Sequence, residues 1–162
     1  MTPYFAYGAN MSPAAMRQRC RDARTVGPAV LRGFRFFVGR EGWGSVQRCG
    51  GEDVYGVVWR VSLRDLAVLH GFELLHKGLY DLRRLPVLHE GRRVSALIYI
   101  LRRRASGRPR PGYIEDIVAA AREWALPEGY VKKVERWSPS GFAAARGMDV
   151  GESAKDVMRA AT

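Results

Sequence analysis

The pattern of apolar and polar residues predicts four β segments in the first sixty residues. Apolar residues run through 4–7 and through 29–38, where Leu31, Phe34 and Phe36 supply most of the apolar surface. Residues 43–49 form a short predicted strand and residues 54–59 a buried one, and the sequence Gly-Gly-Glu-Asp at 50–53 predicts a turn between them.

Two more strands and four helices follow from the same pattern. Residues 79–88 and 92–101 are predicted strands, the second with alternating apolar and polar positions. Ser12 followed by Pro13 is typical of a helix start, and Ser62 with Asp65 resembles a capping box ahead of an apolar face of Leu63, Leu66 and Leu69. The predicted helices cover residues 13–20, 63–70, 111–125 and 127–137, and the weakly patterned end of the chain is a candidate for one more.

The order of these elements predicts an α+β fold. Most β segments are joined by short turns and not by helices of crossover length, which favours a mostly antiparallel sheet or barrel with helices packed outside. The same order argues against a doubly wound parallel sheet. No internal repeat and no domain boundary is visible, so we expect residues 1–162 to form a single domain.

The composition is that of an ordinary globular protein, with 47% hydrophobic and 27% charged residues. No apolar run approaches the roughly 18 residues of a membrane helix, and the first residues lack a signal-peptide pattern. We therefore expect a cytoplasmic protein that does not contact a membrane. Only two cysteines occur, Cys20 and Cys49, which makes a disulfide framework unnecessary to explain the fold.

The net charge is strongly positive, with 27 Lys and Arg against 16 Asp and Glu, or +11. Such a charge raises the hypothesis of a nucleic-acid partner, but no helix-turn-helix, zinc finger or RNA-binding signature accompanies it, so we do not expect one. The densest arginines lie in residues 102–110. That segment is either a solvated loop or a basic mouth that attracts an anionic substrate.

The junction between the first strand and the first helix is the first candidate site. Residues 4–7 run directly into Gly8, Ala9 and Asn10, and a strand–turn–helix junction of this kind leaves backbone N–H groups pointing the same way. An anionic or carbonyl-bearing ligand can bind there. The alternative is a strand that only needs a glycine to turn.

The ionisable residues contribute one further candidate, Glu73. It follows a predicted helix among apolar neighbours, and burial would raise its pKa toward a value that suits a general base. The alternative is a glutamate on the surface of an apolar turn. His70, His76 and His89 have no ligand spacing and no cysteine pair is at CxxC distance, so we expect neither a metal nor a cofactor.

Several segments resemble the γ-glutamylcyclotransferases. Residues 4–11 are similar to their signature YFAYGSNL, and residues 54–59 resemble their strand V-x-G-V-V-W/Y. Leu69 and Glu73, with Tyr80 seven residues further on, resemble their segment LDxxEG and the tyrosine that follows it, and residues 109–113 are similar to P-S-x-x-Y. The matches keep their order over about residues 3–137, which leaves 138–162 as a C-terminal extension.

The resemblance implies a small β-barrel with flanking helices and an enzyme that needs no cofactor. Its substrate would be a small γ-glutamyl compound, whose α-amino group attacks the γ-amide and releases 5-oxoproline and a free amine. Glu73 matches the family's catalytic glutamate. The residues that would bind substrate are Tyr4, Phe5, Ala6, Tyr7, Gly8, Ala9, Asn10, Tyr80 and Tyr113, while Tyr99 is either a further contact or a core residue.

Four positions depart from the family pattern: Ala9 replaces Ser, Ser45 replaces the second Gly of a Gly-Gly pair, His70 replaces Asp, and Leu74 replaces Gly. They leave two alternatives open. The same site could act on a γ-glutamylamine or on a γ-glutamyl-protected biosynthetic intermediate, or the chain could be a non-catalytic binding module with a decayed site. A homodimer is also left open.

Overall fold

The structure is a computed structural model that describes residues 1–72 and 77–141. A short 3₁₀ turn (Ala9–Met11) joins the first strand to the first helix. The five strands are β1 (Thr2–Ala6), β2 (Arg24–Val38), β3 (Gly44–Val61), β4 (Tyr80–His89) and β5 (Arg92–Leu101). The four longer helices are α1 (Pro13–Arg19), α2 (Leu63–Phe72), α3 (Tyr113–Glu123) and α4 (Glu128–Glu135).

The five strands close into a barrel in the order β1-β3-β2-β4-β5. Neighbouring strands are antiparallel except for β1 and β5, which meet in parallel where Tyr4 pairs with Leu97. The helices lie outside the strands, which confirms the prediction of an α+β fold with a mostly antiparallel barrel. The barrel places β1 between β3 and β5, so the turn that follows β1 opens beside both of them.

The predicted turn at residues 50–53 is wrong, because β3 continues without a break from Gly44 to Val61. The pairing with β2 jumps from Arg32 opposite Asp53 to Phe34 opposite Arg48, so residues 49–52 form a bulge facing Gly33. The Asp53 carboxylate accepts a hydrogen bond from the Gly33 N–H at 3.3 Å. A bulge uses the same residue types as a turn, which is why the local sequence misled the prediction.

Strand β2 begins at Arg24, five residues earlier than the predicted start at residue 29. The pairing with β3 shifts between Thr25 and Gly27, and Gly27 has a φ of 136°. Glycine followed by Pro28 is typical of a loop, but here the two residues are part of an irregular strand.

The helix starts follow the predicted capping chemistry. The Ser12 hydroxyl accepts a hydrogen bond from the Ala15 N–H at 3.3 Å, which caps α1. At α2 the Ser62 hydroxyl accepts from the Asp65 N–H at 3.1 Å, and the Asp65 carboxylate accepts from the Ser62 N–H at 3.0 Å. Asp65 therefore closes a full capping box with a shorter side chain than Glu.

The apolar face of α2 is narrower than predicted. Leu66 and Leu69 are buried, but Leu63 is 84% exposed. Leu63 is the first residue of α2, and the buried residues of the helix begin after it, at Asp65. The predicted face was therefore wrong at this one position.

Two segments of the chain lie outside the described residues. They are 73–76, which contains Glu73, Leu74 and His76, and 142–162, which includes the candidate for one more helix at the end of the chain. Within the part of the chain that the structure describes, no helix is long and apolar enough to cross a membrane.

Candidate active site

A cavity of about 410 Å³ opens at the end of β1. Eight of the predicted site residues line it: Tyr4, Phe5, Tyr7, Gly8, Ala9, Asn10, Tyr80 and Tyr113. Ala6 is buried and pairs with Val57 of β3, and it is not among the lining residues. Glu73 follows Phe72, which lines the cavity at the end of α2, but Glu73 itself lies outside the described residues.

The turn after β1 is held by its own backbone. The N–H groups of Met11 and Ser12 donate to the carbonyls of Gly8 and Ala9, at 3.0 and 3.2 Å. The N–H groups of Gly8 and Ala9 take no part in these bonds. The indole N–H of Trp124, at the end of α3, donates to the Met11 carbonyl at 2.7 Å and ties the turn to the helix layer.

Asn10 connects the turn to two other lining residues. Its side-chain amide donates to the Tyr4 hydroxyl at 3.0 Å, and its side-chain oxygen accepts a hydrogen bond from Arg19 at the end of α1. The Arg19 guanidinium also lies over the ring of Phe72, with 3.9 Å to the ring centroid. Asn10 is buried, so it fixes the orientation of Tyr4 and Arg19 on this wall of the cavity.

Gly44, the first residue of β3, holds the two predicted tyrosines. Its N–H donates to the Tyr113 hydroxyl at 2.9 Å, and its carbonyl accepts from the Tyr80 hydroxyl at 3.1 Å. A Cβ at position 44 would lie 2.7 Å from a ring carbon of Phe36, so only glycine allows this close approach. An ideal Cβ on Gly8 would lie 3.1 Å from the Tyr113 hydroxyl, which shows that Tyr113 faces the turn.

Tyr7 and Tyr99 form a second connection across the barrel. The Tyr7 hydroxyl donates to the backbone carbonyl of Tyr99 at 2.5 Å. The Tyr99 hydroxyl lies 2.7 Å from Nδ1 of His70 in α2. Tyr99 is both buried and a lining residue of the cavity, so it belongs to the core and to the site at once.

Three of the four departures from the family pattern have a structural account. Ser45 is fully buried, and its hydroxyl accepts a hydrogen bond from the Leu101 N–H at 2.9 Å, so the extra side chain is satisfied within the barrel. His70 reaches Tyr99 as described. Ala9 lines the cavity and presents a methyl group where the family has a hydroxyl. Leu74 lies outside the described residues.

Three charged residues that line the cavity were not predicted as site residues. They are Arg19 from α1, Asp116 from α3 and Arg110 from the segment before α3. Arg110 lies over the ring of Trp43, with 4.6 Å to the ring centroid, and its Nε donates to the Glu41 carbonyl at 3.1 Å. Arg110 belongs to the arginine-dense residues 102–110, which do not distinguish it from its neighbours, whereas Arg19 and Asp116 have no such signal.

Metal-binding and thiol chemistry have little support in the described residues. No group of three His, Cys, Asp or Glu side chains within them could hold a metal ion. Cys20 is buried behind α1, and burial together with the negative charge of Asp65 raises the pKa of its thiol to about 11. Cys20 and Cys49 are not among the lining residues of the cavity.

Comparison with known proteins gives a consistent assignment. The model of the AIG2-like family matches residues 53–134, which include the second half of β3, all of β4 and β5, and nearly all of α4. The chain belongs to the AIG2-like family. For this AIG2-like protein, the similarity to γ-glutamylcyclotransferases noted from the motifs is therefore confirmed at the level of the family.

Full-length relatives and solved structures extend the match beyond residues 53–134. The γ-glutamylcyclotransferase of Mus musculus is 27% identical over 86% of this chain and 80% of its own length. That of Homo sapiens is 26% identical over 96% of this chain and 87% of its own length. A solved structure of a γ-glutamyl cyclotransferase superposes with a TM-score of 0.79 at 26% identity, covering 85% of this chain and 88% of that one.

Proposed function

We propose that this AIG2-like protein is a γ-glutamylcyclotransferase-type enzyme, which cleaves a γ-glutamyl amide by attack of the substrate's own α-amino group. The observation that carries the proposal is the convergence on one cavity of the turn after β1, Tyr80 and Tyr113, although both tyrosines lie more than sixty positions after the turn. The names of the relatives, γ-glutamylcyclotransferases at 26–27% identity, support the same reaction class.

The residues of the cavity suit a glutamyl group in a folded conformation. In the proposal, the N–H groups of Gly8 and Ala9 bind the α-carboxylate or the γ-carbonyl oxygen, because they take no part in the turn's own hydrogen bonds. Tyr113 faces the same turn and adds a hydroxyl. Ring closure is intramolecular, so a cavity that holds the substrate folded supplies much of the rate.

The proposed chemistry needs one group that moves a proton twice. The carboxylate of Glu73 takes a proton from the α-ammonium group, and the freed amine attacks the γ-carbonyl carbon. The negative charge that develops on the carbonyl oxygen is stabilised by N–H donors. When the carbon–nitrogen bond of the amide breaks, Glu73 gives this proton to the leaving nitrogen. The ring nitrogen still carries one proton more than a lactam, and Glu73 passes that proton to the released amine, which leaves as an ammonium ion. This role of Glu73 rests on its motif.

Product analysis in ¹⁸O-labelled water tests this proposal. The protein is incubated with γ-glutamyl dipeptides and, separately, with γ-glutamylamines, and the products are identified by mass spectrometry. We expect unlabelled 5-oxoproline and free amine in equal amounts, because no water enters an intramolecular attack. An incubation without protein corrects for spontaneous cyclisation.

Two results would overturn the proposal. Glutamate carrying one ¹⁸O atom would show hydrolysis by water instead of cyclisation. Failure to consume any γ-glutamyl compound above the protein-free rate would remove the enzymatic function. The comparison of dipeptides with γ-glutamylamines also identifies which class of leaving amine the site accepts.

A further inference from the structure

We infer that Arg110 is a specificity residue that binds an anionic side group on the leaving amine. The inference rests on the proposed function, because it assigns the part of the same cavity that the glutamyl group leaves unoccupied. Arg110 lies in residues 109–113, the segment that leads into α3.

A chain of side-chain contacts leads from the turn after β1 to Arg110. Tyr113 faces the turn, and the ring of Trp43 meets the Tyr113 ring edge-on at 5.2 Å between centroids. The Arg110 guanidinium lies over the Trp43 ring, 4.6 Å from its centroid. In the proposal, the glutamyl group binds at the turn and the leaving amine extends along these rings toward Arg110.

The Arg110 guanidinium is oriented but not neutralised. Its Nε donates to the Glu41 carbonyl, and the guanidinium lies over the Trp43 ring. These two contacts fix the direction in which its two terminal N–H groups point. None of the ion pairs formed by the described residues involves Arg110. A fixed guanidinium with remaining N–H donors is suited to bidentate binding of a carboxylate.

A second guanidinium is available for the substrate's other carboxylate. Arg19 donates to Asn10 of the turn and lies over the ring of Phe72, so in the proposal it pairs with the glutamyl α-carboxylate. Among the described residues, the charged side chains of the cavity lining are Arg19, Arg110 and Asp116. With Arg19 assigned to the glutamyl group, Arg110 is left for an acidic side group on the leaving amine, as in a γ-glutamyl derivative of glutamate or aspartate.

Two dipeptides of nearly equal shape test the inference, γ-glutamyl-glutamate and γ-glutamyl-glutamine. We expect the wild-type kcat/KM for 5-oxoproline release to favour the acidic dipeptide by about five- to tenfold, the size of a charge-assisted contact at a partly exposed site. In Arg110→Gln the ratio falls to about one, whereas the matched control Arg108→Gln keeps the wild-type ratio. Added salt lowers the wild-type ratio, because the contact is exposed.

Each outcome decides between the two proposals. If the wild type releases 5-oxoproline from neither dipeptide, the proposed function fails and the role of Arg110 fails with it. If both dipeptides react equally well, or if Arg110→Gln keeps the preference, only the role of Arg110 is overturned. A loss of activity in Arg110→Gln that is equal for the two dipeptides shows a structural role. Arg110→Lys keeps the positive charge but not the planar guanidinium that binds a carboxylate through two hydrogen bonds. It is therefore expected to keep part of the preference for the acidic dipeptide.

Discussion

The backbone N–H of Gly44 donates a hydrogen bond to the hydroxyl of Tyr113 at 2.9 Å. These residues are 69 positions apart, and the bond joins the start of β3 to the start of α3. The carbonyl of the same Gly44 accepts from Tyr80. One backbone unit therefore orients both tyrosines that the motif assigned to the site.

The hydroxyl of Tyr113 is expected to contribute to turnover. Tyr113→Phe removes it and leaves the ring, so the fold is kept while kcat/KM for 5-oxoproline release falls by about ten- to a hundredfold. Tyr55→Phe is the control, since its ring lies against Tyr130 and away from the cavity lining. The kcat/KM values of the two variants are compared from initial rates. A Tyr113→Phe variant as active as Tyr55→Phe would contradict the prediction.

Gly44 is expected to tolerate no side chain. In Gly44→Ala the new Cβ would lie 2.7 Å from Phe36 and 2.9 Å from the Tyr113 hydroxyl, so the free energy of unfolding drops by about 1–3 kcal/mol and activity falls with it. Gly50→Ala is the matched change in the same strand, because nothing lies within 4 Å of its Cβ. Urea unfolding measures the free energy of unfolding of the two variants. Equal values would contradict the close contact of Gly44 with Phe36 and Tyr113.

The two leucines of α2 are expected to differ strongly in their contribution to stability. Leu69 is fully buried, and Leu69→Ala should lower the free energy of unfolding by about 2–5 kcal/mol. Leu63 is 84% exposed, so Leu63→Ala should change it by less than about 0.5 kcal/mol. Similar losses in the two variants, measured by chemical denaturation, would show that α2 packs along its whole predicted face.

Cys20 is expected to resist alkylation in the folded protein. With a pKa of about 11, only about one thiol in a thousand is ionised at pH 8, and the thiolate is the reactive form. Iodoacetamide should therefore modify the half-buried Cys49 first, without loss of activity, as peptide mass spectrometry can follow. Since the thiolate fraction rises with pH, Cys20 labelling should accelerate about tenfold per unit below pH 11. Rapid labelling of Cys20 at pH 8 with parallel inactivation would contradict this.

The sequence predicted those features of the fold that depend on local chemistry. The helix caps were predictable, because capping hydrogen bonds join residues only three positions apart. They are formed by Ser12 at α1 and by Ser62 with Asp65 at α2. The alternation in residues 92–101 predicted β5, because one face of a strand is buried at every second position, although the pattern breaks where Ile98 and Tyr99 are both buried. The bulge at residues 49–52 could not be distinguished from a turn, because only the partner strand decides between them.

The candidate site was predictable in its motif residues and not in its surroundings. The turn residues and Tyr113 were identified by similarity to a family pattern, while their proximity is a property of the closed barrel. Arg19 and Arg110 come to the cavity from segments about ninety positions apart, and no local pattern relates them. Gly44 was noted only as part of a Gly-Ser pair, because its role depends on Tyr80, Tyr113 and Phe36 together.

Cyclisation with Glu73 as the proton-transfer group is tested by the rate at which the Glu73→Gln variant releases 5-oxoproline. Glutamine keeps the size of the side chain but cannot accept a proton at working pH. We expect this variant to fold like the wild type and to lose at least about a hundredfold in kcat. A folded Glu73→Gln variant that releases 5-oxoproline at the wild-type rate would contradict it.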